Sequence, residues 1–458
     1  MKRQLGRTLT TMLLAACAAL PALSIAAASS VPATPTVPMA HVDWSRNANI
    51  YEVNIRQFTK EGSFNAFAKH LPRLKKMGVD ILWLMPVQPI GVKNRKGTLG
   101  SYYAVRDYTA VNPEFGTMDD LRSLVKQAHA LGMHVIIDLV ANHTAFDNPW
   151  TVKHKDWYLK NDKGEIYPVT YTDGAEPEYW TDVTGLDWNN KALWQGMTDA
   201  MLFWVREADI DGFRCDVAGK VPTPFWNGAR AALDRVKPVF MLAEADKPEL
   251  HEHAFDMTYG WDTKDLFKDI AKGKADARTL KAFLANPPKA FPPGAYRMRF
   301  TSNHDENSWA GSDVELYGPA FKAMAVLAAT LPGMPLVYGG QESVLDKRIQ
   351  FFEKDPVDWK NYALAPFYTD LLALKHANPA LWNGQYGGDA QVLDTGNDKV
   401  FAFRRERDGN TVQVTVNLSN AAQAYAPAGA GARQQAQQSL APWDYRIDVT
   451  ESKRSVRR

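Results

Sequence analysis

Short apolar runs alternate with amphipathic runs from about residue 48 to residue 380. Runs with the helical spacing of apolar residues include 64–78, 117–132 and 318–333. Strand-like runs precede or follow them, at 49–58, 79–86, 134–143, 210–218, 238–245, 254–260, 296–305 and 335–340. Strands that alternate with helices favour a parallel sheet, and eight such strands close a barrel. The pattern therefore predicts the α/β class and a (β/α)8 TIM barrel over residues 48–384.

Two regions depart from this alternation. The stretch 144–188 follows the third strand, is rich in Asp, Trp, Tyr, Pro and Gly, and has no clear helical period. An excursion of this length is typical of a functional insertion. After about residue 385 the pattern changes to short strands, such as 398–409 and 411–420, with turn residues between them. We expect a C-terminal antiparallel β domain over 385–450, arranged as a sandwich.

The N-terminal residues resemble an export signal. A basic start is followed by the apolar run 8–28, which ends in small residues suited to cleavage near Ala28. We expect residues 1–28 to be a signal peptide, residues 29–47 a flexible leader, and the protein to be periplasmic or secreted. The segment 14-LAAC-17 also resembles a lipoprotein box, and in that alternative Cys17 would anchor the chain to a membrane.

The composition limits the classes of binding partner and the cellular setting that we expect for the protein. The net charge is +2 and 23% of residues are charged, so nothing indicates nucleic acid or a strongly acidic partner. Past the signal, no segment is apolar for long enough to span a membrane. Cys215 would be the only cysteine of the mature chain, which excludes an internal disulfide. We expect a monomer.

Charged residues gather where the predicted strands end, which is where TIM barrels carry their catalytic groups. Residues 214 and 216 alternate onto one face of a strand, so Arg214 is placed to favour the ionised form of Asp216. Singly, each residue has a structural alternative, such as a cap, a hydrogen-bonded loop histidine or an ion pair. Their occurrence at four strand ends indicates an active site built from Asp138, His143, Arg214, Asp216, Glu244, His304 and Asp305.

Four of these segments resemble the ordered signature regions of the α-amylase family of retaining glycoside hydrolases: 138-DLVANH-143, 212-GFRCDVAGK-220, 242-LAEAD-246 and 300-FTSNHD-305. The resemblance covers about residues 48–380, and the insertion occupies the place of the family's domain B. It implies hydrolysis of α-1,4-glucosidic bonds in starch, glycogen or maltooligosaccharides through a covalent glycosyl-enzyme intermediate.

The resemblance also implies a role for each residue. Asp216 would be the nucleophile, Glu244 the general acid/base and Asp305 the stabiliser of the transition state. Retaining enzymes need two carboxyl groups ~5–5.5 Å apart, one ionised and one protonated, and neighbouring carboxylates should keep Glu244 protonated. The remaining residues would surround or stack on the sugar next to the cleaved bond: Tyr103, Asp138, His143, Arg214 and His304.

The sequence departs from the family at the end of the second signature region, where Gly219 and Lys220 replace a Lys-His pair. In the family, that histidine lends a carbonyl to a calcium ion. Asn142 stands where a calcium ligand is expected, and Asp182 would be a second oxygen ligand. Calcium needs six or more oxygen ligands. We therefore expect no cofactor for the chemistry and leave structural calcium open.

We expect an endo-acting enzyme, because Ala104 follows Tyr103 where the family's α-glucosidases carry an aspartate that binds the chain end. The alternatives within the family are an exo-acting α-glucosidase and a transglycosylase. Outside it, Asp216, Glu244 and Asp305 would suit a divalent-metal barrel enzyme, although Arg214 would repel the metal. A non-catalytic glucan-binding relative would have no use for a proton donor beside a nucleophile.

Overall fold

The computed structural model describes residues 40–171, 178–426 and 437–451. The predicted signal peptide, residues 1–28, and the predicted leader as far as residue 39 lie outside the described residues, as does Cys17. Within these ranges, no helix has the length and apolar character needed to cross a membrane.

Strands alternate with helices in most of the barrel, whereas the C-terminal part consists of consecutive strands. The strands are β1 Ile50–Val53, β2 Ile81–Leu84, β3 His134–Val140, β4 His143–Ala145, β5 Pro168–Tyr171, β6 Glu178–Gly185, β7 Gly212–Asp216, β8 Phe240–Ala243, β9 Met257–Tyr259, β10 Tyr296–Arg299, β11 Met334–Tyr338, β12 Gln391–Leu393, β13 Val400–Arg407, β14 Asn410–Asn417, β15 Gln423–Tyr425, β16 Gln438–Leu440 and β17 Tyr445–Glu451. The α-helices are α1 Ile55–Phe58, α2 Phe64–Ala68, α3 Leu71–Met77, α4 Met118–Ala130, α5 Trp150–Lys153, α6 Lys191–Ala208, α7 Thr223–Asp234, α8 Trp261–Ala271, α9 Ala277–Ala285, α10 Asp313–Tyr317, α11 Phe321–Thr330 and α12 Ala365–Ala377.

Eight parallel strands close into the predicted barrel. Around the ring the order is β1, β2, β3, β7, β8, β9, β10 and β11, which pairs again with β1. One apolar cluster, with Trp83, Ile136 and Tyr259 among its members, fills the barrel interior, and a larger one lies between strands and helices. The barrel is thus a packed core whose strand ends present side chains at its rim.

Each of the eight barrel strands ends before its predicted run does, and residues 55–58 of the first run form α1. β3 stops at Val140, and His143 instead begins β4, the first strand of the insertion. β10 stops at Arg299, so His304 and Asp305 lie in the loop that follows. Both runs extend into loops that are largely buried at the barrel rim, as the strands are, although most residues of these loops are polar.

The insertion after β3 is a small antiparallel sheet in the order β4-β6-β5, with the one-turn helix α5 between β4 and β5. His143 pairs with Gly185, which ties the insertion to the barrel rim. The aromatic residues of this stretch make ring contacts, as in the stacked pair Tyr171 and Trp180, whose centroids lie 5.2 Å apart.

Part of the predicted flexible leader is instead packed on the barrel. His41 is buried, with Nδ1 2.9 Å from Asp256 Oδ1 and Nε2 2.9 Å from the Gly294 carbonyl oxygen. Trp44 stacks on His134 at 3.8 Å between centroids. These partners lie at or just before the starts of barrel strands, so residues 40–47 cover the amino end of the barrel. The expectation of flexibility is therefore wrong for these residues.

The C-terminal part contains a four-stranded antiparallel sheet, β12-β13-β14-β17, and the two-stranded sheet β15-β16. The larger sheet packs its apolar face, which includes Phe401 and Val414, against α11 of the barrel. Eight of the ten residues of α11 are buried. A helix that is apolar on all sides must be covered on all sides, and here the barrel and the sheet cover it.

Candidate active site

The residues singled out in the sequence meet at the carboxyl end of the barrel. A cavity of about 580 Å³ opens there, and its lining includes Tyr103, His143, Asp216, Glu244, His304 and Asp305. Asp138 and Arg214 lie below them and are fully buried. Strand register contributes to this convergence, since Asp138 of β3 pairs with Arg214 of β7 and Val140 pairs with Asp216.

The start of β7 depends on a glycine. Gly212 has φ +152°, and a Cβ atom there would lie 1.9 Å from the Phe240 carbonyl oxygen of β8. Only a residue without a side chain lets the two strands approach this closely. The close approach keeps β7 and β8 paired up to Cys215 and Ala243, so Asp216 and Glu244 emerge side by side at the rim.

Arg214 holds three carboxylates from three neighbouring strands. Its Nη1 lies 3.0 Å from Asp138 Oδ1 and 2.9 Å from Asp216 Oδ1. Its Nη2 lies 2.8 Å from Glu244 Oε1, an ion pair that falls outside hydrogen-bond angles. Nε donates to the Tyr259 hydroxyl at 3.3 Å. A planar guanidinium fixes the mutual orientation of its partners, so Arg214 sets the spacing of Asp216 and Glu244.

The two oxygens of Asp216 differ. Oδ1 accepts from Arg214, whereas the buried Oδ2 has no hydrogen-bond partner in the described part of the chain. Burial and the nearby carboxylate of Glu244 raise the pKa of Asp216 well above its usual value, and Arg214 opposes this rise. The sequence suggested that Arg214 favours the ionised form of Asp216. In the structure Arg214 does so, but its effect does not outweigh burial and Glu244, and the pKa of Asp216 stays raised.

Asp138 lies buried at the bottom of the site and contacts several of its residues. Burial raises its pKa to about 6, and Arg214 opposes the rise. Its Oδ2 accepts from Trp83 Nε1 at 3.2 Å and from the Tyr103 hydroxyl at 3.0 Å, in addition to the contact with Arg214. With these partners Asp138 is ionised near neutral pH and accepts from donors on three sides.

The backbone directly after Asp216 is strained. Val217 has φ +45° and ψ +36°, in the left-handed region that a β-branched residue rarely enters. Such a conformation costs on the order of 1–3 kcal/mol and occurs mainly at functional sites. It points the Val217 N–H at Glu244 Oε2, 2.7 Å away. The strain thus fixes one carboxylate oxygen of Glu244.

His304 and Tyr103 share a stacked arrangement. Their ring centroids lie 5.4 Å apart with an angle of 19° between planes, and His304 Nε2 is 2.8 Å from the Tyr103 hydroxyl. His304 Nε2 also lies 3.3 Å from Asp305 Oδ2. The Asp305 side chain is 42% exposed, so it faces the open cavity.

His143 closes the insertion side of the cavity. Burial lowers its pKa to about 4, so it is neutral near pH 7. Its Nδ1 lies 3.2 Å from Asn142 Nδ2, an amide donor, which leaves Nε2 as the protonated nitrogen. The edge of its ring meets Trp180 at 5.5 Å between centroids. His143 is therefore a neutral hydrogen-bond donor.

The sequence reasoning missed an aromatic wall on the opposite side. Phe351 lies parallel to Tyr103, with centroids 6.2 Å apart, and Trp309 contacts both Phe351 and Phe352. Leu99 N donates to the Phe352 carbonyl oxygen at 3.0 Å, which ties the wall to the loop after β2. The signal was 351-FFEKD-355, a pair of phenylalanines in a polar stretch after the eighth strand.

The residues considered for calcium do not fit that ion. Asp182 Oδ1 lies 3.1 Å from the ammonium of Lys96, a cation that occupies the carboxylate. Asn142 directs its amide nitrogen, not its oxygen, at His143. Throughout residues 40–171, 178–426 and 437–451, no group of three or more His, Cys, Asp or Glu side chains is arranged to hold a metal ion.

Comparisons with known proteins fit this geometry. Residues 44–270 match the family model described as "Alpha amylase, catalytic domain". The structure of a noncanonic maltogenic α-amylase from Thermotoga neapolitana has a TM-score of 0.74 and is 32% identical, covering 83% of this chain and 87% of that one. The chain belongs to the α-amylase family.

Two curated relatives differ in what they do. The α-amylase MalA of Haloarcula japonica is 28% identical over 82% of this chain, and an α-1,4-glucan:maltose-1-phosphate maltosyltransferase of Picrophilus torridus is 26% identical over 78%. The chain spans 56% and 59% of the lengths of these relatives. Membership of the α-amylase family does not support the hypothesis of a divalent-metal barrel enzyme. The Arg214 guanidinium does not support it either, because it already contacts Asp138, Asp216 and Glu244.

Proposed function

We propose that the protein is a retaining, endo-acting hydrolase of α-1,4-glucosidic bonds in starch and maltooligosaccharides. The observation that carries this proposal is the pairing of Asp216 and Glu244 through one buried guanidinium, Arg214, beneath an open cavity. Retention of configuration requires two carboxyl groups held close together, one as nucleophile and one as proton donor.

In the first step, Asp216 Oδ2 attacks the anomeric carbon while the proton of Glu244 passes to the leaving glycosidic oxygen. The bond to the leaving chain breaks as the bond to Asp216 forms, which gives a covalent glycosyl-enzyme. Oδ2 suits this role because it has no hydrogen-bond partner among the described residues. For this step the mechanism requires the proton on Glu244 and an ionised Asp216.

In the second step, Glu244, now ionised, takes a proton from water, and the water oxygen attacks the anomeric carbon. The bond to Asp216 breaks and the acid is regenerated with its proton. Positive charge that develops on the sugar ring in both steps is stabilised by the exposed carboxylate of Asp305. Tyr103 offers a ring face to the same sugar, since its ring is held by stacking on His304 and Phe351.

Aromatic rings on two sides of the carboxylates support the endo mode. Trp309 and Phe351 line one side of the cavity, and Tyr179 and Trp180 line the other. Sugar faces pack on such rings, so a glucan can extend past both ends of the cleaved bond. Ala104 contributes differently than the sequence suggested, because it is buried against neighbours in the insertion rather than opening space at the cavity wall.

Transfer to another sugar is the second candidate. The similarity to a maltosyltransferase supports it, since a sugar hydroxyl in place of water would complete the same second step. A substrate time course separates these functions. From maltoheptaose we expect maltose and maltotriose early, with the α-anomer formed first in NMR spectra. Glucose as the sole early product would exclude the endo mode, and products longer than the substrate would show transfer. Asp216→Asn is the inactive control.

We also propose that the protein is exported, on the grounds of its basic and then apolar first 28 residues. Mass spectrometry of the native N-terminus tests this proposal. A chain that starts just after Ala28 supports it, a lipidated Cys17 would place the protein on a membrane surface instead, and an intact N-terminus would contradict export.

A further inference from the structure

A buried glutamate inside the barrel lies directly under the site and is not used in the mechanism above. Glu52 of β1 is fully buried, and its Oε1 lies 2.5 Å from His304 Nδ1 and 3.4 Å from the His304 backbone nitrogen. Its Oε2 has no hydrogen-bond partner within the described ranges. A carboxylate in such a place is costly unless it has a charged partner.

The hydrogen bonds around His304 fix its protonation state. Asp138, ionised by its contact with Arg214, can only accept, so the Tyr103 hydroxyl donates its proton to Asp138. The Tyr103 oxygen must then accept from His304 Nε2, 2.8 Å away. On the other side of the ring, Glu52 Oε1 also accepts from the His304 backbone nitrogen, as an ionised carboxylate does, and Nδ1 donates to the same oxygen. Both ring nitrogens therefore carry protons, and His304 is an imidazolium.

We propose that Glu52 is a positioning residue that keeps His304 doubly protonated and thereby holds Tyr103 and Asp305 in place for the attack on the sugar. The mechanistic part of this inference rests on the proposed function. A neutral His304 with its proton on Nδ1 would present a lone pair from Nε2 to the Tyr103 oxygen. The Tyr103 hydroxyl would then have to turn from Asp138 to His304, and the contact of His304 with Asp305 would lose its charge.

The electrostatics agree with this geometry. Burial by itself lowers the pKa of His304, but the carboxylates of Asp305 and Glu52 outweigh it and raise the pKa to about 9, with Arg214 opposing them. Burial raises the pKa of Glu52, and His304 and Arg214 oppose that rise. The Trp83 ring and the Tyr103 hydroxyl also face the imidazole. Without Glu52, Asp305 is the main anion left, at 3.3 Å and partly exposed to water.

The experiment compares the full-length protein with Glu52→Gln, which keeps the shape and a hydrogen-bond acceptor but removes the charge. The pH dependence of kcat/KM is measured on α-maltosyl fluoride, because fluoride leaves without a proton from Glu244. The alkaline limb then reports other groups. His304 has a raised pKa, so the imidazolium loses its proton on the alkaline side as the pH rises. Removal of Glu52 should shift the midpoint of the alkaline limb to lower pH by roughly 1–2 pH units.

A matched control is Glu342→Gln, another fully buried glutamate, which pairs with Tyr51 and Arg73 away from the cavity. It should lower the stability without moving the alkaline limb. Alkaline limbs that coincide for the wild type and a folded Glu52→Gln variant would overturn the proposal. If that variant does not fold, Glu52→Asp takes its place, and its shorter side chain should move the limb in the same direction.

A second measurement needs no activity. In the ¹⁵N-histidine-labelled protein, the His304 signals are assigned with a His304→Gln variant and followed with pH by NMR. We expect an imidazolium in the wild type at pH 7.5 and a lower titration midpoint after Glu52→Gln. A neutral His304 at pH 7 in the wild type, or equal midpoints, would refute the inference. Inactivity on every glucan would instead refute the proposed function and leave this result standing.

Discussion

The two ends of the barrel each contain a buried cluster of charges, but the clusters differ in how completely the carboxylate oxygens are provided with hydrogen-bond partners. At the carboxyl end, Arg214 contacts three carboxylates, and buried polar atoms such as Asp216 Oδ2 are left without partners among the described residues. At the amino end, Asp256 is satisfied on both oxygens. Its Oδ1 lies 2.9 Å from His41, and its Oδ2 accepts from Arg230 Nη1 and Met241 N, each at 2.8 Å.

The pKa shifts have opposite directions at the two ends. Burial would raise the pKa of Asp256, but Arg230 and His41 outweigh it and the pKa is lowered. Asp211, just before β7, behaves in the same way: burial would raise its pKa, but the hydrogen bond with His129 and the ion pair with Lys237 outweigh burial and lower the pKa. At the carboxyl end burial prevails, and the pKa values of Asp138 and Asp216 are raised. A buried cluster in which the charged groups have their hydrogen-bond and ion-pair partners stabilises the fold, whereas a cluster that lacks some of these partners supplies reactive groups.

Asp216→Asn should produce the largest difference between the two ends. The amide cannot attack the sugar, so we expect kcat to fall about 10⁴-fold or more. The free energy of unfolding should remain the same or rise, because a carboxylate with a raised pKa is removed from a crowded site. Activity assays and urea unfolding of the same preparation check both parts. A large loss of stability would contradict the contrast between the clusters.

Asp256→Asn should do the opposite. It leaves Arg230 and His41 without their buried anion, which should cost about 3–5 kcal/mol of unfolding free energy. Activity per folded molecule should change little, because Asp256 lies at the far end of the barrel. Asp234→Asn is the matched control, since Asp234 pairs with the same arginine but is 40% exposed, and should cost less than about 1 kcal/mol.

The pH dependence of stability should distinguish the clusters by sign. The lowered pKa of Asp211 gives stability that is present above its unfolded value near 4 and is lost as pH falls. Asp138, raised to about 6, makes stability fall as pH rises from about 4 to about 6. Across that window, Asp138→Asn should gain about 1–3 kcal/mol relative to the wild type. Asp211→Asn should instead lose stability relative to the wild type as pH rises from 3 to 5. Denaturant unfolding at each pH measures both, and equal signs would contradict the contrast.

The smallest effect is expected from the exposed ring of Trp309, which is 56% accessible on the cavity wall. Trp309→Ala should raise KM for maltoheptaose about three- to tenfold through the loss of sugar stacking, with an unchanged unfolding midpoint. Trp309→Phe keeps a ring face and should recover most of the affinity. An unchanged KM in the alanine variant would show that substrate does not use this wall.

The barrel could be predicted because each of its strands has a recognisable local sequence pattern. Each strand is buried on both faces, so it is written as a continuous apolar run, and all eight runs found in the sequence form barrel strands. The limits of the runs were less reliable. The predicted strand at 296–305 continues for six residues past β10, into a loop whose residues are mostly buried but polar.

The sequence by itself determined which charged residues are placed at the rim of the barrel, since Arg214 and Asp216 follow from strand alternation and Glu244 from the end of the next apolar run. Only the tertiary structure decided how these groups act on one another. Glu52 stands 252 positions before His304, Phe351 lies far from Tyr103 in the chain, and His41 secures Asp256 across the amino end of the barrel. A charge takes its protonation state from burial and from neighbours brought by folding, and neither is encoded in local pattern.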